Sequence, residues 1–266
     1  MLKPHLVEPD VTATIQSRQS DASSLAYASA LVAECKLQDH VYISQMQMLL
    51  AHRRLRAVLQ PGSDSRDALV ELLQAFDGRA TGLFGRVNAV PVLLPFYQAT
   101  LSKADQGLLQ LFRRAELQGG TSIRSVIHNW VPWQLRGVCT GPFQVLANLD
   151  PGLLYQSQCC VMRPKGTVVL EEANDATADP TFYLALVSSL LEEEGITRSN
   201  WLALISSNAL GLAICSLASS RKAYVIAGDR ILARARNALQ VSVLLIHRQI
   251  RANIGCFLVC RTARKG

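Results

Sequence analysis

Arginine is the residue type whose spacing in this chain points most directly to chemistry. At about 100° per residue, Arg230, Arg234, Arg248 and Arg251 fall on one side of a C-terminal helix, while Leu232, Ala235, Leu239, Val243, Ile246 and Ile250 fall on the other. Guanidinium groups along one line, without acids between them, suit a nucleic-acid backbone, so these four are candidate RNA contacts. The same pattern fits the solvated outer face of a terminal helix whose arginine stems cover apolar neighbours, and the sequence leaves both readings open. His52-Arg53-Arg54-Leu55-Arg56 is a second basic run, readable as a phosphate-binding cluster or as the wet face of an amphipathic helix.

Other chemistry finds less support. The chain has no Gly-x-Ser-x-Gly elbow, no Gly-x-Gly-x-x-Gly turn, no phosphate loop and no His-Glu-x-x-His. Cys256 and Cys260, with His247 upstream, lack the Cys-x-x-Cys pairing of a zinc site. His128 lies beside an apolar stripe and reads as a structural histidine. The expectation is therefore a protein that is not an enzyme, with no cofactor, no metal and no small-molecule substrate. Seven scattered cysteines, an odd number in a chain too large to need stapling, read as reduced, buried thiols. With no secretory signal at the start, they place the chain inside the cell.

Those arginines need a helical framework. Half the residues are apolar (49%) but only 6% are aromatic, and Leu and Ala dominate, which favours helix over sheet. We expect an all-α fold, either an armadillo/HEAT-like α-solenoid or a compact helical bundle, with residues 1–24 as a polar tail and 25–266 as one domain. Apolar spacing predicts helices near residues 25–59, 65–77, 103–118, 123–130, 181–192, 200–217 and 223–252, with Asp150-Pro151 opening another. Pro91 to Pro95 interrupts an apolar run, Ser102 to Asp105 has capping-box spacing, and Glu171 to Ala178 reads as an acidic connector. Between Ser199 and Ser220 no residue is charged, so the helix that begins near Ser199-Asn200 and runs through Trp201 should be buried on all sides. It is long enough for a bilayer, but Asn200, Asn208, Ser206, Ser207 and Ser216 argue against a membrane. Charge is uneven. Ten Lys or Arg residues stand against Asp229 alone between Arg221 and Lys265, making the C-terminal end the basic pole of a chain with net charge +7.

Five blocks, in order, also carry a family resemblance. They are Tyr97-Gln98-Ala99-Thr100-Leu101-Ser102 with Asp105, Leu108 and Leu109; Leu149-Asp150-Pro151; Asp179-Pro180 with its apolar helix; Trp201 with Asn208 to Leu212; and Leu217 to Ser220. Trp130 or Trp133 fits a tryptophan after the first block, and Gln98 stands where the family has glycine. Over residues 90–240 the chain resembles the C-terminal region of the nucleolar pre-ribosomal-associated protein 1 family. That resemblance implies a non-enzymatic helical scaffold in early assembly of the large ribosomal subunit and the processing of its RNA. Its partners would be ribosome assembly factors and pre-ribosomal RNA, and its place the nucleolus. The competing expectation is a protein-binding α-solenoid unrelated to ribosomes. No block is a catalytic motif, and Trp201 and Asn208 read as core and buried-amide positions.

Overall fold

The computed structural model describes residues 21–35, 37–80, 82–162, 177–192 and 196–240. Among them the fold is all-α, with no strand and only isolated bridges between extended residues. The first half contains α1 (Ala22–Glu34), α2 (Asp39–Ala51), α3 (Leu55–Val58), α4 (Arg66–Arg79), α5 (Leu83–Arg86), α6 (Ala89–Leu93), α7 (Lys103–Leu117) and α8 (Ile123–Val126). The second contains α9 (Pro142–Asn148), α10 (Pro151–Met162), α11 (Pro180–Leu190), α12 (Arg198–Ser206), α13 (Ala209–Ser216) and α14 (residues 222–240). Tight 3-10 turns at Leu94–Phe96, Ile127–Asn129 and Trp133–Leu135 fill the joints.

Local chemistry sets several of the starts. The Asp21 carboxylate accepts from the N–H groups of Ser23 and Ser24, so α1 begins inside the stretch expected to be tail. The Ser102 hydroxyl accepts from Asp105 N–H at the head of α7, and Asp179 accepts from Thr181 N–H ahead of Pro180 in α11. Pro91 does not break α6, because it sits in the first turn, where its missing N–H has no partner to lose.

Two expected helices are each divided. The run 25–59 breaks at Cys35 and again at His52 to Arg54. The run 200–217 breaks at Asn208, whose φ of 61° is left-handed, a conformation asparagine tolerates better than most residues. The end of the acidic connector is not loose: Thr177 and Ala178 are buried, and Ala178 bridges antiparallel to Thr100. Val168 to Leu170, the rest of that connector and everything beyond residue 240 lie outside the described residues.

One core cluster runs from Leu25 to Ala235. In the first half α1 packs on α4 and α4 on α7; in the second α9 packs on α12 and α10 on α13. The halves meet at an aromatic knot in which the Phe182 ring lies 4.9 Å from both Tyr97 and Trp130, each edge to face. On the far side of α13, α14 comes so near that a Cβ on Gly228 would lie 2.5 Å from the Ala213 carbonyl oxygen. The uncharged run is not buried on all sides. Trp201 is buried, but Leu202, Ile205, Ile214 and Leu217 are exposed. Among the described residues no helix is long and apolar enough to cross a membrane. The thiols also differ from expectation: Cys35 and Cys139 are buried, Cys160 and Cys215 half-buried and Cys159 exposed, all of them free.

Candidate functional site

The arginine face is only partly described. Arg230 is exposed on α14. Arg234 donates to the Ser188 carbonyl oxygen at 3.1 Å and to the Ser188 hydroxyl, and pairs with Glu192 at 2.6 Å. It thereby serves the C-terminal end of α11, where helix carbonyls lack backbone donors. Arg248 and Arg251 lie outside the described residues. The inward stripe of α14 is Gly228, Ile231 and Ala235, flanked by half-buried Tyr224 and Ala238, while Leu239 is exposed. The expected apolar side, centred on Leu232 and Leu239, is thus turned by about one residue, because the close crossing on α13 selects glycine rather than leucine at the contact. His128 is exposed and bonds Asn129 at 2.9 Å.

A buried polar joint lies where the halves meet. Asp105, fully buried, pairs with Arg66 at 2.6 Å and accepts from Gln98 N–H, Thr100 N–H and the Thr100 hydroxyl. Arg66 also donates to the Phe96 carbonyl oxygen at 3.0 Å. With this many partners the carboxylate is held in place despite its removal from water. Across the joint, Asp179 N–H donates to the Ala99 carbonyl oxygen at 2.7 Å and Leu101 N–H to that of Thr177 at 2.8 Å. Tyr97 O–H donates to the Asp179 carboxylate at 3.3 Å, and Trp130 Nε1–H to the Tyr97 carbonyl oxygen at 3.0 Å. Burial raises the Asp179 carboxyl above the usual carboxylate range, against the pull of the Thr181 and Tyr97 donors. Burial also pushes up the Tyr97 and Tyr183 phenols, and the carboxylates of Asp105 and Asp179 add to both shifts.

Beside this joint opens a pocket of about 330 Å³. Its walls are apolar at Pro61, Trp130, Pro132, Leu135, Leu149 and Leu153, and polar at Gln98, Thr100 and Gln134. Arg66 and Tyr183 also line it, and each keeps one buried donor, Arg66 Nε and the Tyr183 hydroxyl, with no partner among the described residues. Trp133, between the lining residues Pro132 and Gln134 in the chain, stacks on Phe96 with centroids 5.5 Å apart. The guanidinium of Arg56 lies 5.3 Å from the centre of the Trp133 ring and that of Arg136 5.4 Å. Both arginines are exposed, and neither has a carboxylate within salt-bridge distance among the described residues.

The basic run at His52 to Arg56 is visible in the sequence, and Trp133 enters there only as one of two tryptophans in the resemblance; Arg136 and the pocket are not visible. Arg56 and Arg136 are far apart in the chain and meet over the Trp133 ring, which itself stacks on Phe96. Among the described residues no group of His, Cys, Asp and Glu is placed to hold a metal ion. The pocket lining holds no histidine or cysteine, so what it offers is hydrogen bonding and an apolar slot. No family model, no curated protein and no solved structure matches the chain.

Proposed function

We propose that this chain is a non-enzymatic helical scaffold module acting in early assembly of the large ribosomal subunit, in the nucleolus, where it holds assembly factors and pre-ribosomal RNA. The observation that carries the reading is how the resemblance blocks are used. Tyr97 to Asp105 and Asp179-Pro180 pair through Ala99, Leu101 and Tyr97, and Trp130 bonds Tyr97. Pro151 accepts from the Asn208 side chain and the Asn208 carbonyl oxygen from Gln158, while Ser219 donates to the Val161 carbonyl oxygen. Residues far apart in the chain, recognised separately, form successive joints of one helical array. A resemblance that falls on such joints supports a shared scaffold more than a shared reaction, since these side chains are engaged in holding backbone. On the arginine face, Arg230, Arg248 and Arg251 remain proposed RNA contacts, while Arg234 is engaged by α11.

A second reading, a protein-binding helical array unrelated to ribosomes, draws on the exposed apolar residues Leu202, Ile205, Ile214 and Leu217. Sedimentation of the tagged chain separates the two. Co-migration with precursor particles of the large subunit and with pre-ribosomal RNA is the expected outcome. Migration with proteins alone, clear of ribosomal precursors, would replace the first reading by the second.

A further inference from the structure

Trp133 with its two arginines forms a basic lip, adjoining in the chain the lining residues Pro132, Gln134 and Leu135, and the pocket differs from it in electrostatic character. On the lip, Arg56 and Arg136 sit on one indole with no carboxylate opposing them among the described residues. Stacking against a ring holds a guanidinium in a set plane while leaving its N–H fork free to meet an anion, which lowers the ordering cost of binding phosphate. Arg53, exposed in the turn before α3, is a further basic residue three positions from Arg56 in the chain. Inside, the positive charge of Arg66 is matched by Asp105, and Asp179 is near enough to act with Asp105 on the Tyr183 phenol. An anionic group would find no net positive charge inside to draw it in, while a neutral planar one with acceptors and donors on its edge would find partners. Apolar walls at Trp130, Pro132 and Leu135, with amides at Gln98 and Gln134 and unpartnered donors on Arg66 and Tyr183, suit such a group.

We propose that the lip and pocket together bind single-stranded RNA, with Arg56 and Arg136 on neighbouring phosphates and one unstacked base in the pocket. A duplex keeps its bases paired and stacked and has none to offer a concave slot, whereas a single strand offers one at little cost. An acidic peptide would satisfy the arginines but brings no planar ring for the apolar walls of the pocket. The choice of RNA as the nucleic acid rests on the proposed function; the division into phosphate lip and base pocket does not.

The test is fluorescence anisotropy with the full chain and three labelled probes: a 12-nucleotide single-stranded RNA, a duplex of the same sequence, and a 12-residue strand with abasic sugars throughout. The single strand should bind about tenfold more tightly than the duplex or the abasic strand, as expected when a stacked or inserted base contributes. R56A/R136A should weaken single-strand binding about tenfold or more at low salt and lower the slope of log K against log salt by about 1.4, roughly 0.7 per lost phosphate contact. Both arginines are exposed, and an unchanged melting temperature checks the fold. R124A/R198A, which removes equal charge from exposed positions elsewhere, should change binding less than about twofold. Equal losses in the two double variants, equal affinity for duplex and single strand, or stronger competition by polyglutamate than by unlabelled RNA would each overturn the site. If parent and R56A/R136A bind the strand alike while the parent still sediments with ribosomal precursors, the site falls and the proposed function stands. Selective RNA binding by a parent that does not sediment with them gives the reverse.

Discussion

Residues 180–191 and residues 199–217 are both free of charge and rich in leucine, yet the array treats them differently. In α11, Phe182, Tyr183, Leu184, Leu186, Val187 and Leu190 are all buried. Trp130 and Tyr97 cover one side, and α10 and α13 pack on it as well. In α12 and α13 the inward residues Trp201, Ala203, Leu204, Ala209, Leu212 and Ala213 are buried, but Leu202, Ile205 and Ile214 face out. Apolar composition sets how much surface a helix can lose to water. The neighbours that take it away are supplied by distant parts of the chain. Mutations on the two helices should therefore differ in cost more than the residues themselves do.

The largest effect is expected at the knot. Phe182→Ala removes a ring that touches Tyr97, Trp130 and Tyr183, and should cost about 3 to 5 kcal/mol of unfolding free energy in urea titration. A loss below about 1 kcal/mol would mean that α11 is no better covered than the outer face of α12. Next in size is Gly228→Ala, where the new methyl meets backbone rather than a side chain that can turn aside. Overpacking of about 1 to 3 kcal/mol is expected, read as a lower melting temperature. A neutral result would show that α14 can move away from α13 without loss.

Asp179→Asn tests the polar side of the same joint. Asparagine keeps an oxygen for Thr181 N–H but removes a carboxylate whose folded pKa is raised by burial from its ordinary 3.8. A raised carboxyl holds its proton more tightly folded than unfolded. Its contribution to stability is therefore complete below the ordinary value and lost as pH rises through the folded one. Relative to the parent, the Asn variant should gain stability between about pH 4 and pH 7, as carboxylates titrating alike in both cancel. Unfolding titrations at the two ends of that range check the sign, and a relative loss would show that Tyr97 and Thr181 outweigh the desolvation.

How much of this was legible in the sequence follows the range of the interactions. The starts of α7 and α11 depend on Ser102 with Asp105, three positions apart, and on the adjacent Asp179 and Pro180, and they can be read directly. The break at Asn208 was missed because it is a backbone conformation, and asparagine only permits it. The buried segment Thr177-Ala178 reads as connector from the sequence because the extended segment it bridges, Ala99 to Leu101, is some eighty residues away. The same applies to the candidate site. His52 to Arg56 stands out as a basic run, but Arg56 meets Arg136 over the Trp133 ring, and nothing in the local spacing encodes that contact. On α14 the helical period was right and its phase was not, since hydrophobicity favours leucine at the interface while close approach requires Gly228.

The smallest effect concerns the outward face and is the sharpest test of the comparison. Leu202 and Ile205 lie three residues apart on α12, 58% and 59% exposed, next to buried Trp201 and Leu204. A side chain that stays mostly in water loses little when it becomes polar, so Leu202→Ser with Ile205→Ser should change unfolding free energy by no more than about 0.5 kcal/mol per site. Helix propensity works slightly against serine, which sets the sign of any small loss. If α12 were instead covered as α11 is, the double variant would approach the cost of Phe182→Ala, and the difference between the two uncharged runs would vanish. The same variant bears on function. Should the exposed apolar residues hold an assembly factor, it would keep its melting temperature yet release that partner in co-purification, whereas loss of both together would assign the face to folding alone.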